Sequence, residues 1–145
     1  GLLAMKIGSF DAYKNGGNLK IEDTAPFVEN GVTLVPVRFV SEAFDAKVDW
    51  NASERKATIQ NDGTVIEFTL GSNVYTVNGE TYQTDIPAKI VNGRTVVPLR
   101  AVGEALGKKV LWCGDYSIIL IANSISFAAD DTAKLNVINS GFDKK

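Results

Sequence analysis

The chain has 145 residues, 45% hydrophobic and 22% charged, enough for one compact domain or for two small units sharing a core. Its 15 basic and 17 acidic side chains leave a formal charge of −2, which excludes the electrostatic footprint of a nucleic-acid or anionic-membrane binder. Histidine is absent and cysteine occurs once, at Cys113. An internal disulfide, a Ser/His/Asp or Cys/His triad and a histidine-based copper or zinc site are therefore ruled out. No apolar run approaches the roughly 20 residues that span a bilayer, so the chain reads as soluble. A lone cysteine suits a secreted protein as well as a cytosolic one.

In chain order, the first turn signal is Asn15-Gly16, followed by Asn30-Gly31. Asn-Gly between apolar stretches is the strongest short hairpin signal, because both central residues of a type I′ turn need positive φ. Val32 to Val35 is a short second strand running into Pro36, which suits a first helical position where a missing N–H costs nothing. Val37, Val40, Ala43 and Phe44 then form one helical face. Asp45 stands where this helix needs a left-handed residue, and aspartate is a poorer fit there than glycine. A strand to Trp50 and another from Lys56 to Gln60 follow, and Asn61-Asp62-Gly63 turns the chain. Val65 to Leu70 alternates, with Ile66, Phe68 and Leu70 facing inward.

Gly71-Ser72 marks a joint, and the stretch Asn73 to Val77 is a candidate exposed edge strand. Beyond it the earlier signals return: Asn78-Gly79, Asn92-Gly93, a strand from Arg94 to Val97, Pro98, and a helix with Leu99, Val102, Ala105 and Leu106 on one face. This helix ends at Gly107, well suited to a left-handed C′ position. A strand to Trp112 precedes Ser117 to Ala122, in which Ile118-Ile119-Leu120-Ile121 is apolar on both faces and so belongs inside a sheet. The segment 123–145 is read as an extension or linker, with Asp131 available to cap a short helix.

The return is an internal repeat. Asn30 to Asn51 and Asn92 to Cys113 align without a gap at an offset of 62, and 12 of these 22 positions are identical. The resulting expectation is an α+β fold of two pseudo-repeats, 5–62 and 63–122, each a small twisted antiparallel sheet around one short helix.

The shared polar and aromatic residues carry whatever chemistry there is. Arg38 and Glu42 recur as Arg100 and Glu104, neighbours at i, i+4 on a helix. Such a pair could clamp an anion beside an acid or base, or be a plain ion pair flanking a buried stripe. An arginine near a helix N-terminus is disfavoured by the dipole, so it is expected to reach elsewhere, toward strand carbonyls. Trp50 and Trp112 could offer a platform for sugar rings, but their recurrence favours plugging the core end beside Val48 and Val110. Pro36, Arg38, Glu42 and Trp50, with Pro98, Arg100, Glu104 and Trp112, are accordingly read as a structural motif. Phe27, Tyr75, Tyr82 and Tyr116 lack repeat partners of their own type and are the candidates for a recognition surface. Asp130-Asp131 and Asn61-Asp62-Gly63 lack the calcium-loop pattern, and Cys113 lacks a histidine partner. No catalytic, cofactor or metal residue is assigned.

The string N-G-x-T-x-V-P-x-R-x-V-x-E-A followed by K-V-x-W, present twice, resembles the copper amine oxidase N-terminal-like or stalk domain of secreted bacterial proteins. The resemblance implies a sheet twisted around a helix, export from the cell and attachment to a larger cell-surface or extracellular protein. It implies nothing catalytic. The family's oxidases hold copper with histidines and build a quinone from a tyrosine in an Asn-Tyr-Asp/Glu setting, whereas Tyr116 sits in Asp115-Tyr116-Ser117. The expected function is a non-enzymatic accessory module, a spacer or a binder of protein or cell-wall glycan, without cofactor. Its expected partners are other domains of its parent protein, cell-wall polysaccharide or a second copy of itself. The competing expectation is a glycan hydrolase in which the duplication brings Glu42 and Glu104 together.

Overall fold

A computed structural model describes residues 1–125 and 132–143. At all four Asn-Gly dipeptides the asparagine lies at φ of 49 to 52° and the glycine at 78 to 84°. Those angles are the type I′ geometry that joins twisted strands, and each dipeptide closes a hairpin. These are β2 (Asp11–Lys14) with β3 (Gly17–Lys20), β4 (Phe27–Glu29) with β5 (Val32–Pro36), β9 (Val74–Val77) with β10 (Glu80–Gln83), and β11 (Lys89–Val91) with β12 (Arg94–Pro98). Asp62-Gly63 makes the same turn between β7 (Lys56–Asn61) and β8 (Thr64–Thr69). The remaining strands are β1 (Leu3–Lys6), β6 (Lys47–Asn51), β13 (Lys109–Cys113) and β14 (Ile118–Ala122).

The helices are α1 (Val37–Ala43), α2 (Leu99–Ala105) and α3 (Thr132–Asp143). Pro36 and Pro98 are N-caps rather than first helical residues, with ψ of 121° and 132°. Proline's fixed φ suits strand and helix alike, and ladder pairing with Val96 and Leu34 draws the two prolines into the sheet. Both short helices end in a Schellman motif. The Ala46 and Asp45 amides donate to the Ser41 and Glu42 carbonyls at 3.0 Å, and Lys108 and Gly107 repeat this on Gly103 and Glu104. Gly107 takes the left-handed residue at φ 77°, and Asp45 takes it at 63° despite its Cβ. The exposed substitution Asp45→Gly is expected to add about 0.5–1 kcal/mol of stability, read as a higher denaturation midpoint with an unchanged slope.

Three antiparallel sheets result, ordered β13-β14-β1-β2-β3, β10-β9-β8-β7-β6 and β11-β12-β5-β4. A sheet closed within each half is not what forms. The pair β6-β7 is continued by β8, β9 and β10, while β13-β14 is continued by β1, β2 and β3 from the start of the chain. The reason lies in β14, whose four residues Ile118 to Ile121 are all fully buried. A strand with no solvent side needs a neighbour at both edges, and β1 supplies the second, with Met5 opposite Ile119. In the four-stranded sheet, Val35 of β5 pairs with Val97 of β12, two residues 62 apart. The expected edge strand from Asn73 to Val77 is also corrected. It is β9, held between β8 and β10, and β10, with all four residues exposed, forms the edge.

One core unites these layers. Val37, Val40 and Phe44 of the α1 segment and Leu99, Val102 and Leu106 of the α2 segment meet Ile59, Ile66 and Phe68 from one five-stranded sheet and Leu3, Met5 and Ile121 from the other. Gly103 shows how close the helix lies to β13: a Cβ there would sit 2.6 Å from Val110 Cγ2. Gly103→Ala is therefore expected to cost about 1–3 kcal/mol by overpacking, and Val110→Ala in the same chain to recover part of it in thermal melts.

The two five-stranded sheets differ on their far faces. The far face of β6–β10 is polar, with Thr58, Glu67 and Thr76, and a Lys56–Glu67 ion pair at 3.5 Å. The far face of the other sheet carries Ala4, Cys113, Ile118 and Leu120, and α3 covers it with the buried Phe142. Tyr13 meets the Phe142 ring edge-on at 5.0 Å and donates its hydroxyl to the Gly141 carbonyl at 2.6 Å. Part of the segment read as an extension is thus a docked helix, while Asp131 and its expected cap lie outside the described residues. Burial pushes the Cys113 thiol above its ordinary pKa, which keeps it protonated and unreactive.

Candidate functional site: two grooves beside the short helices

A seven-residue helix is about 10 Å long. Its Val37 and Val40 pack in the core with Val48 of β6, a cluster that Trp50, two residues further along the same side of the strand, does not join. Trp50 is consequently 42% exposed, and Trp112, beside α2 on β13, is 37% exposed. Neither indole plugs the core. Each instead walls a groove, of about 600 Å³ beside α1 and about 630 Å³ beside α2.

The grooves share their construction. Pro36, Val37, Arg38, Glu42, Val48 and Trp50 line the first; Pro98, Leu99, Arg100, Glu104, Val110 and Trp112 line the second at the same offset of 62. The opposite wall comes from the other half of the chain. The hairpin of β11 and β12 gives Ile90 and Thr95 to the first groove, and that of β4 and β5 gives Val28 and Thr33 to the second. Ile90 and Val28 are 50% and 48% exposed, an outward apolar lip that strand alternation alone did not single out. Their matched positions in the repeat were the available signal.

Arg38 Nη1 lies 3.3 Å from Glu42 Oε2 and also donates to the Val48 carbonyl at 3.3 Å. The arginine thus reaches past its helix to an edge-strand carbonyl. Arg100 and Glu104 stand 3.6 Å apart. Both pairs are about half exposed, so they contribute little to stability, about 0–1 kcal/mol each. Glu42 and Glu104 line different grooves, each beside its own arginine. The shared two-carboxylate centre of the hydrolase expectation does not form.

Four further charged side chains border the first groove: Lys20, Glu22, Asp49 and Arg94. Arg94 is held by Asp23 at 2.9 Å and Glu22 at 3.0 Å, and the Asp23 bond pushes its pKa up. Lys20 is paired with Asp11. Tyr75 joins the second groove, its ring stacked between Phe68 at 4.9 Å and Tyr82 at 5.6 Å. Burial first, then the nearby Glu104 charge, raises the Tyr75 pKa and keeps its hydroxyl a donor.

Of the four aromatics expected to form a recognition surface, the fold brings together Tyr75 and Tyr82. Phe27 packs in a small cluster with Leu34 and Val96, and Tyr116 lies against the face under α3, bonded to Asn136. Among the described residues no group of three or more Cys, Asp or Glu side chains could hold a metal ion. The chain has no histidine, so its residues do not fit a copper centre of the kind the family name suggests.

Fold and site together define a small module of antiparallel sheets with two grooves of common design. The comparisons place it further. Residues 13–121 match the copper amine oxidase N-terminal domain, and the chain belongs to that family. Domains of this family are non-catalytic in themselves. None of the curated proteins compared with the chain matches it.

Proposed function

We propose that the chain is an accessory module of a secreted or cell-surface bacterial protein and that it binds cell-wall glycan, rather than serving only as a spacer. One observation carries this reading: two exposed tryptophans stand at matched positions, each on the wall of a groove that also holds an arginine and a glutamate. Exposing an indole forfeits a large apolar burial, a cost to the free chain that a stacking ligand offsets. Duplication of the unit over 5–62 and 63–122 fits the same reading, since each groove draws walls from both halves. Its partners are then the other domains of a larger protein, to which it lends adhesion. Self-association through the edge strand β10 is the remaining partner proposal, and sedimentation tests it.

A polysaccharide array and affinity electrophoresis test the function directly. The chain is expected to be retarded by at least one cell-wall polysaccharide, and the double variant Trp50→Ala/Trp112→Ala to run as in a gel without glycan. More than half of each residue is buried, so the variant is expected to melt several degrees lower while remaining folded at the assay temperature. Silence of the intact chain across the array leaves the spacer.

A further inference from the structure

We propose that the two grooves are separate sites of like specificity, each for a neutral, hydroxyl-rich saccharide segment, so that one chain bridges two glycan strands. This rests on the glycan-binding reading above and specifies its ligand class and valency.

Charge supports the neutral ligand. The first groove is bordered by Lys20, Arg38 and Arg94 against Glu22, Glu42 and Asp49, and each cation already has a carboxylate partner. The second sets Arg100 against Glu104 and Asp85. Neither has the surplus of positive charge that a phosphate- or uronate-rich polymer would need to displace its own counterions. What both offer is a donor and an acceptor side by side next to a flat apolar wall: guanidinium N–H and carboxylate oxygen 3.3 to 3.6 Å apart. Adjacent hydroxyls on a sugar ring both donate and accept, so they can bond to such a pair while the ring face lies on the indole.

Valency follows from placement. The first groove is closed by the β11–β12 hairpin and the second by β4–β5, which occupy opposite halves of the four-stranded sheet. No lining residue is common to both. Occupation of one therefore leaves the other free, and a polymer-binding chain gains avidity of up to about 10²–10⁴ over a single groove.

Titration calorimetry on the full chain tests this with cellohexaose, xylohexaose and chitohexaose as neutral probes and hexagalacturonate as an anionic one. The expected result is two sites per chain for a neutral hexamer and at least tenfold weaker binding of hexagalacturonate. Trp50→Ala and Trp112→Ala should each leave one site, and Trp50→Phe should restore the second. The intact chain should precipitate the matching soluble polymer, and each single variant should bind it without precipitation. One site per chain, equal or better binding of hexagalacturonate, or precipitation by a single variant overturns the inference while leaving glycan binding in place. Binding of no hexamer overturns it as well. A silent array in addition removes the glycan reading itself, and binding to a protein partner abolished by the same tryptophan variants would replace it.

Discussion

Phe142→Ala is expected to destabilise the chain by about 3 kcal/mol, lowering its melting temperature by about 10 °C. Phe142 is buried where α3 meets the sheet of β13, β14 and β1–β3, packed with Ala4, Ile118 and Leu120 and met edge-on by Tyr13. Its truncation leaves a cavity in the apolar cluster between α3 and that sheet face. The same variant should make Cys113 react with a thiol reagent many times faster, because that thiol is buried in the same cluster. An unchanged labelling rate and an unchanged melt would mean that α3 does not dock.

Leu120→Thr is expected to cost as much, about 3 kcal/mol or more. Threonine is what β7 carries at the position 62 residues earlier, Thr58, on the polar far face of the other five-stranded sheet. At position 120 the side chain is fully buried beneath α3, so the change removes packing and buries a hydroxyl among apolar neighbours. Thr58→Ala should by comparison move the chemical-denaturation midpoint little. Since Leu120 and Phe142 share a cluster, their double variant should lose less than the sum of the single losses. Strict additivity in that cycle would contradict the packing described.

How far each feature was readable depends on the range of the interactions behind it. The four Asn-Gly hairpins, the left-handed Gly107 and the helical faces from Val37 and Leu99 follow from φ preferences and periodicity within a few residues and were plain in the chain, whereas Asp45 read as a poor fit for the left-handed position it takes. So was the interior placement of Ile118 to Ile121, because a strand apolar on both faces has nowhere else to go. The candidate site was half legible. Its matched residues, Arg38, Glu42 and Trp50 with their counterparts, stood out by repetition, but they read as core and brace.

Turns, caps and apolar stripes are set by local stereochemistry, and they were enough to establish an α+β chain with a duplicated helical block. Which strands became neighbours was a long-range matter. That β1 would close against β14, that β9 would lie inside while β10 formed the edge, and that α3 would roof one sheet but not the other depended on burying faces contributed from opposite ends of the chain. The exposure of Trp50 and Trp112 belongs to the same level. It depends on which residues of β6 and β13 enter the core beside the short helices, and that is decided only once helix and strand are packed together.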